Sequence, residues 1–462
     1  AMERGKLPDS TMLSTLLSFI SSALYDNRTA PAAAEAFKRV CDSCCKFLVA
    51  FSDQLFQVYN AVISGANTAG GSNASGAKLE TEDVIEILEG VLFVVMAIPV
   101  DNPESMAKRQ ACLQLVLRPI LEPLHAILGA GNAAGNEAQA LKLLEQVETV
   151  FKNIDDKQIV MQVLDYTSGV LDKALEIFGA NVDCAERICG ALKHGLKTSG
   201  TSTAQSLLQN LFTNIPLRFS RYSHPCMLYL SSELVKIFGS QAASHNWLYT
   251  LVSGLVTEAH AKLIQLKDFD NRPDIVDDLF LLASRILSYA PGIIFAEEGA
   301  QTLQRLFGCA VAGMFIHHRD ACLSIYAFFY RLFTVDETVH ANSMKVLEQV
   351  LTPSGQVLTK KLLAGITGSV AKAYLEDLGE CLCKLLCAGK QVAISWLYES
   401  LVCIPAAALT DQEKQTFMGA AQNALGGTSM RGFQRHVEEL SAVCRRNNRV
   451  RESVQTALLA GV

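Results

Sequence analysis

Leu13, Leu16, Leu17, Ile20 and Leu24 recur at steps of three and four, which places them on one stripe of a helix and leaves the intervening Ser and Thr on the other side. The same period predicts helices near 32–50, 53–64, 81–98, 105–128, 137–151, 156–178, 183–198, 201–213, 224–239 and 244–266. It continues near 274–290, 299–314, 319–334, 337–352, 356–387, 390–402, 410–425, 429–446 and 448–460. Runs that resemble strands, such as Leu92-Phe93-Val94-Val95, sit inside longer helical patterns and lack alternation. The expected fold class is therefore all-α.

The predicted breaks are short and carry turn chemistry: Asp101-Asn102-Pro103, Pro216, Pro273 at the first turn of its helix, Pro291-Gly292, and Thr352-Pro353-Ser354-Gly355. Two longer stretches of small residues, near 65–77 and 129–135, read as flexible linkers. Helices that follow one another every ~20 residues pair every ~40–47, the interval of HEAT or armadillo repeats. About ten such pairs would fill the chain, each burying one face against its neighbours in an α-solenoid with an extended binding surface. A compact many-helix bundle is the structural alternative.

Composition narrows the function classes. Half of the 462 residues are apolar and 19% are charged, enough for a packed core and too apolar for disorder. A net charge of −6 lacks the positive field of a general nucleic-acid binder, so no direct nucleic-acid role is expected. The longest apolar runs, Val91–Val100 and Cys309–Ile316, are shorter than the ~18 residues of a membrane span, so no membrane role is expected. Fourteen cysteines lie in apolar helical stretches and read as reduced core thiols of a cytosolic or nuclear protein. Ala1-Met2 reads as a cloning remnant before a helical pattern that starts almost at once, as in a piece of a longer chain.

Candidate chemistry is sparse. Cys41, Cys44 and Cys45, and again Cys381, Cys383 and Cys387, have some look of metal ligation, but no histidine lies near either cluster and helical geometry turns Cys381 and Cys383 to different sides. His317-His318 precedes a helix that Asp320 is placed to cap, with no nucleophile or orienting acid at a recognisable spacing. Phosphate loops, dinucleotide fingerprints, nucleophile elbows and zinc-protease motifs are missing, so no enzyme activity, metal or cofactor is expected. Charge says more. Asp268, Asp270, Asp274, Asp277 and Asp278 surround the start of one helix, where carboxylates meet the positive helix end. Over 431–451, six arginines (Arg431, Arg435, Arg445, Arg446, Arg449, Arg451) stand against Glu438 and Glu439, either an anion-binding face or the solvated end of a solenoid.

Several separated segments carry a resemblance. The run from Arg272 to Arg285 (RPDIVDDLFLLASR) and the one from His318 to Ile325 (HRDACLSI) are similar to motifs of the transportin-SR and importin-thirteen branch of the β-karyopherins. The segments 36–45, 224–233 and 437–447 also fit, in the right order, and resemble the plant-type transportin-SR most. The resemblance implies the C-terminal half of a HEAT-repeat nuclear import receptor, shuttling between cytoplasm and nucleus. Its implied partners are protein cargo of the arginine/serine-rich (SR) splicing-factor type, nucleoporins, and GTP-bound Ran, which in the family contacts mainly N-terminal repeats.

In animal transportin-SR the helix after the P-D-x-V-D-D motif carries arginines that receive phosphorylated arginine/serine segments. Carried over residue by residue, they fall on Leu281, Arg285 and Tyr289, one stripe at i, i+4 and i+8, where only Arg285 matches. Arg272, Arg305 and Arg319 are nearby substitutes, Tyr289 retains a hydroxyl, and Arg445, Arg446 and Arg449 form a second basic patch. Acidic residues would read cargo arginines. The expected state is a monomer, and the rival reading is a HEAT scaffold for another cytosolic or nuclear complex.

Overall fold

The computed structural model describes residues 10–26, 28–66, 79–130, 135–335, 338–425 and 430–461. Among them there is no strand. Most of the expected 65–77 linker and positions 131–134 of the second lie outside the described residues.

The chain forms two compact units, Ala1–Leu208 and Gln209–Val462. The first holds α1 (Ser10–Ala23), α2 (Ala30–Leu48), α3 (Ser52–Ala66), α4 (Thr81–Met96), α5 (Pro103–Gly129), α6 (Glu137–Lys152), α7 (Lys157–Phe178) and α8 (Val182–Ser199). Every second helix is a neighbour in space: α2, α4, α6 and α8 make one layer, and α3, α5 and α7 the other. Starts are set by capping. Asn102 accepts from the Ser105 amide at 2.8 Å, Asp156 from Gln158 and Ile159 at 2.9 and 3.0 Å, and Asn181 from Cys184 at 3.1 Å. Between the layers lies a continuous apolar core that includes Phe37, Ile87, Leu124, Val147 and Phe178.

Although no uninterrupted apolar run reaches the length of a span, α5 is 27 residues long and apolar enough by length and composition to cross a membrane. Half of its most apolar window is buried against protein, and its buried Arg109 donates to the carbonyls of Met96 and Ile98 and faces Asp156 at 3.5 Å. Core burial accounts for the composition of this helix.

After α9 (Gln205–Tyr222), which crosses the division between units, the second unit continues with α10 (Cys226–Phe238), α11 (His245–His260), α12 (Pro273–Tyr289), α13 (Gly292–Phe295), α14 (Ala300–Gly313), α15 (Arg319–Leu332), α16 (Ser343–Ala364), α17 (Leu375–Cys403), α18 (Asp411–Leu425), α19 (Met430–Cys444) and α20 (Asn448–Leu459). Here α10, α12, α15 and α17 form one layer, and α11, α14 and α16 the other. Side chains bridging equivalent helices measure the repeat directly. Arg285 reaches Glu233 across 52 residues, Arg305 reaches Thr257 across 48, and Arg331 reaches Ser288 across 43. Within the first unit Arg187 meets Glu148 across 39.

Two prolines read as breaks do not break the chain. α9 runs through Pro216, and α16 runs through the exposed Pro353 to Ala364. The break falls later, in a π-helical turn, Gly365–Ser369, where Gly368 has φ +149°, a conformation that only glycine adopts readily. The predicted division near 390 corresponds to a non-helical residue, Lys390 at φ 48°, within α17. The cap of α15 also differs from expectation. His318 is the capping residue, its Nδ1 accepting from the Ala321 amide at 3.5 Å, while Asp320 lies in the first turn.

Candidate functional site

The face made by α10, α12, α15 and α17 collects the chemistry of the second unit. Residues pair in ascending order, Asp277 facing the Ser324 hydroxyl and Ser288 bonding Arg331, so α12 and α15 run parallel and their outward residues form rows across the layer. On α12, apolar Ile275, Val276, Leu279, Phe280, Leu282, Ala283, Ile286 and Leu287 are buried, which leaves 274, 277, 278, 281, 285, 288 and 289 toward solvent.

Arg285 is half-buried and donates from Nη1 to Glu233 Oε1 of α10 at 2.6 Å. That bond uses one of the five N–H groups of the guanidinium fork. Leu281 and Tyr289 flank it on the same stripe, 40% and 45% exposed, so this row offers one cation between two apolar-bodied side chains. Arg272 lies at the entrance to α12, where it donates to Asp274 at 2.9 Å and to the Ser223 carbonyl at 2.7 Å; burial pushes the Asp274 carboxyl up, but the Arg272 guanidinium and backbone amides hold it below its ordinary value. Arg319 is the exposed first residue of α15. Arg305, by contrast, lies on α14 in the other layer and donates to Thr257 Oγ1 at 2.6 Å. The structure thus gathers Arg272, Arg285, Arg319 and Tyr289 onto one layer, spread over two helices, and separates Arg305 from them.

The terminal basic residues have a different setting. Arg445 donates to the carbonyls of Ile366, Val370 and Gly365 at 3.0, 2.8 and 2.7 Å, closing the π-helical turn after α16. Burial lowers its pKa. Arg446 donates to the carbonyls of Ala408 and Ala407 at 2.7 and 2.8 Å. These two guanidiniums tie α19 to the preceding segments, whereas Arg449 is exposed.

Sequence reading missed the residues that most shape this face. Between α12, α15 and α17 opens a cleft of about 630 Å³ lined by Tyr326, Tyr330, Arg331, Val335, Asp377 and Glu380 among others. Burial raises the Asp377 carboxyl, with Glu376 adding to the effect, and burial raises Glu380 with help from Glu376 and Asp377. The signal for such partners is charge placed one repeat apart, legible only once the repeat register is known. The thiols of both cysteine runs are largely core. Cys41 and Cys381 are buried, with pKa values raised by burial, and Cys381 Sγ lies 3.3 Å from the Tyr326 carbonyl.

Residues 157–263, from α7 to just past α11, match the family model described as the Transportin-3/Importin-13 fourth TPR domain. Over 430 residues, 93% of this chain and 43% of the relative, the sequence is 29% identical to Transportin MOS14 of Arabidopsis thaliana. The chain is a homologue of this transportin. Importin-13 of Gallus gallus is 20% identical over 456 residues, 94% of this chain and 45% of its own. A solved structure, Importin13 in its cytosolic state, superposes with a TM-score of 0.70 at 18% identity, covering 95% of this chain and 47% of that one. The fold is accordingly the importin-type helical-repeat solenoid, and the chain spans a little under half the length of the relatives it matches.

Proposed function

We propose that the chain is the C-terminal part of a karyopherin-type nuclear transport receptor, a single repeat array that carries protein cargo between cytoplasm and nucleus as a monomer. The observation that carries this reading is collinear homology to a transportin over 93% of the chain, joined to a matching repeat fold. We further propose that the cargo is of the SR type, that nucleoporins mediate passage, and that GTP-bound Ran, engaging mainly the remainder of the receptor, releases the cargo.

The α12 row supports an SR-type ligand. Phosphoserine brings close to two negative charges and three acceptor oxygens, so it competes with a single carboxylate for the fork of Arg285. Arg272 and Arg319 add positive charge at the entrances of α12 and α15, and the Tyr289 hydroxyl extends the row. Arg449, in the first turn of α20, supplies a separate exposed cation.

Fluorescence anisotropy with a labelled arginine/serine-repeat peptide tests this reading. The phosphorylated form is expected to bind more tightly than the unphosphorylated form, and Arg285→Ala to remove about tenfold of that preference. Equal binding of both forms would refute the phosphate role. Failure of the intact receptor to bind GTP-loaded Ran would favour a scaffold for another complex.

A further inference from the structure

We infer that Cys383 and Cys387 of α17 are a modification site, a dithiol that a hydroperoxide oxidises to a disulfide within the helix, resetting the joint that follows it at Gly389–Lys390. This inference does not depend on the transport-receptor reading.

These two thiols combine access with a partner. Cys387 is exposed, and one helical turn before it Cys383, 6% exposed, shares a thiol–thiol hydrogen bond with it. Other cysteines are set differently. Cys41, Cys44 and Cys381 are buried, out of reach of a solute, and the exposed Cys403 donates its thiol to the Glu399 carbonyl at 3.2 Å.

The exposed thiol meets the oxidant and the buried one resolves it. The Cys387 thiolate attacks a peroxide oxygen, the O–O bond breaks, and the sulfur is oxidised to a sulfenic acid. The hydroxide that leaves takes up the proton the thiol gave up and departs as water. Cys383 then attacks the Cys387 sulfur, the S–S bond forms, the S–O bond breaks, and the second hydroxide leaves as water with the Cys383 proton. Two thiols and one hydrogen peroxide thus give one disulfide and two waters. Burial, with Cys387 adding to it, pushes the Cys383 thiol up to about 11. That makes it a poor first nucleophile and suits it to the second step, where its target is already in contact.

Side chains four apart on a regular helix hold their Cβ atoms about 5–6 Å apart, whereas a disulfide needs about 3.5–4.5 Å, so the bond closes only if the backbone gives. α17 gives way just beyond. Lys390, three residues past Cys387, has φ 48° and ψ −132°, a combination that a residue with a Cβ rarely adopts, and it interrupts the helix between Leu375 and Cys403. The preceding Gly389 lies against the next turn: a Cβ there would come within 2.8 Å of Ala393 Cβ and 3.6 Å of the Trp396 ring. Tightening the 383–387 turn therefore shifts the joint, and the joint shifts Trp396, which also packs on Gly355 of α16. A disulfide closed against backbone resistance is readily reduced, so an ordinary thiol resets the site.

The test treats the reduced full chain with hydrogen peroxide and then with glutathione. Trypsin cuts after Lys384, so mass spectrometry of the oxidised parent is expected to show the peptides 373–384 and 385–390 joined, with the loss of two hydrogens. Cys383→Ser and Cys387→Ser are each expected to abolish the joined species, and Cys403→Ser to leave it unchanged. In a Trp247→Phe background Trp396 is the remaining indole. Its emission is expected to shift on oxidation, to return with glutathione, and to stay constant when Cys387→Ser is added. Cys387 oxidised as far as the sulfinic acid, with no joined peptide, overturns the site. So does a joined peptide that survives Cys383→Ser, because Cys381 would then be the partner. A joined peptide without a change in Trp396 emission overturns the coupling to the Gly389–Lys390 joint.

Discussion

Arg285 of α12 and Glu233 of α10 meet at 2.6 Å across one repeat, joining adjacent helices at the point where phosphate recognition is proposed. Both side chains are mostly shielded, 24% and 14% exposed, so removing one leaves the other's charge poorly solvated. Arg285→Ala is expected to lower stability by about 1–3 kcal/mol in denaturant titration. Glu233→Gln separates the structural from the binding role. It frees the guanidinium while keeping a polar partner, so affinity for a phosphorylated peptide should rise; a fall in anisotropy-measured affinity would show that Glu233 orients Arg285 rather than competing with the ligand.

The half-buried acids of the cleft predict a stability change of the opposite sign. The Asp377 carboxyl titrates above its ordinary range because burial disfavours its charge. Its folded pKa exceeds the unfolded one, so the stability it contributes is present below the ordinary carboxyl range and is lost as pH rises through the raised value. At neutral pH the charge is a net cost. Asp377→Asn should therefore raise the melting temperature at pH 7, with the gain shrinking as pH falls toward about 4. A variant less stable than the parent at pH 7 would contradict this account.

The period of the apolar residues was enough to predict an all-helical repeat, because each helix must bury one stripe and the stripes here are regular. Boundaries marked by capping residues, such as Asn102 and Asp156, lie where the pattern puts them. Proline was a poorer guide. Pro216 and Pro353 sit inside helices, and tertiary packing keeps the chain helical despite a missing backbone donor. The candidate site was less legible for a different reason. A stripe on one helix can be read from spacing, which found Leu281, Arg285 and Tyr289. Pairing between helices depends on a register that varies, from 39 residues between Arg187 and Glu148 to 57 between Tyr59 and Val116, so Glu233, Ser288 and the α17 acids carried no local signal. Arg305 lay near Arg285 in sequence and fell in the other layer, since successive helices alternate between layers.

Arg445 offers a prediction about the terminal repeat. Its three hydrogen bonds to Gly365, Ile366 and Val370 compensate a half-buried cation with the negative end of α16 and its π-helical turn, with no carboxylate among these partners. Ser441 and Gln455 reinforce the same turn through Ile366 at 2.8 Å and Ala364 at 3.2 Å. Arg445→Met should cost about 2–4 kcal/mol and accelerate amide exchange across 365–374 before other segments. Uniform acceleration across the second unit would mean that the turn is not a local clasp.

The stretch Pro353–Gly355 predicts opposite effects two residues apart. Pro353 is exposed within α16 and supplies no amide to the Gln349 carbonyl, so nothing in the core requires it. Pro353→Ala restores that bond but loosens the unfolded chain, and the net expectation is a gain of about 1–2 kcal/mol. Gly355 faces α17 instead. A Cβ placed there would come within 2.3 Å of two ring atoms of Trp396, far inside van der Waals contact. Because the indole is held between α16 and α17, the clash is relieved only by separating the helices or rotating the ring. Gly355→Ala should therefore destabilise by about 1–3 kcal/mol despite improving helix propensity, as seen in chemical denaturation, with a shift in Trp396 fluorescence. A neutral Gly355→Ala would mean that the α16–α17 seam is loosely packed, and the position of the chain break at Gly368 would then have to be explained by the turn itself rather than by the close approach of these helices.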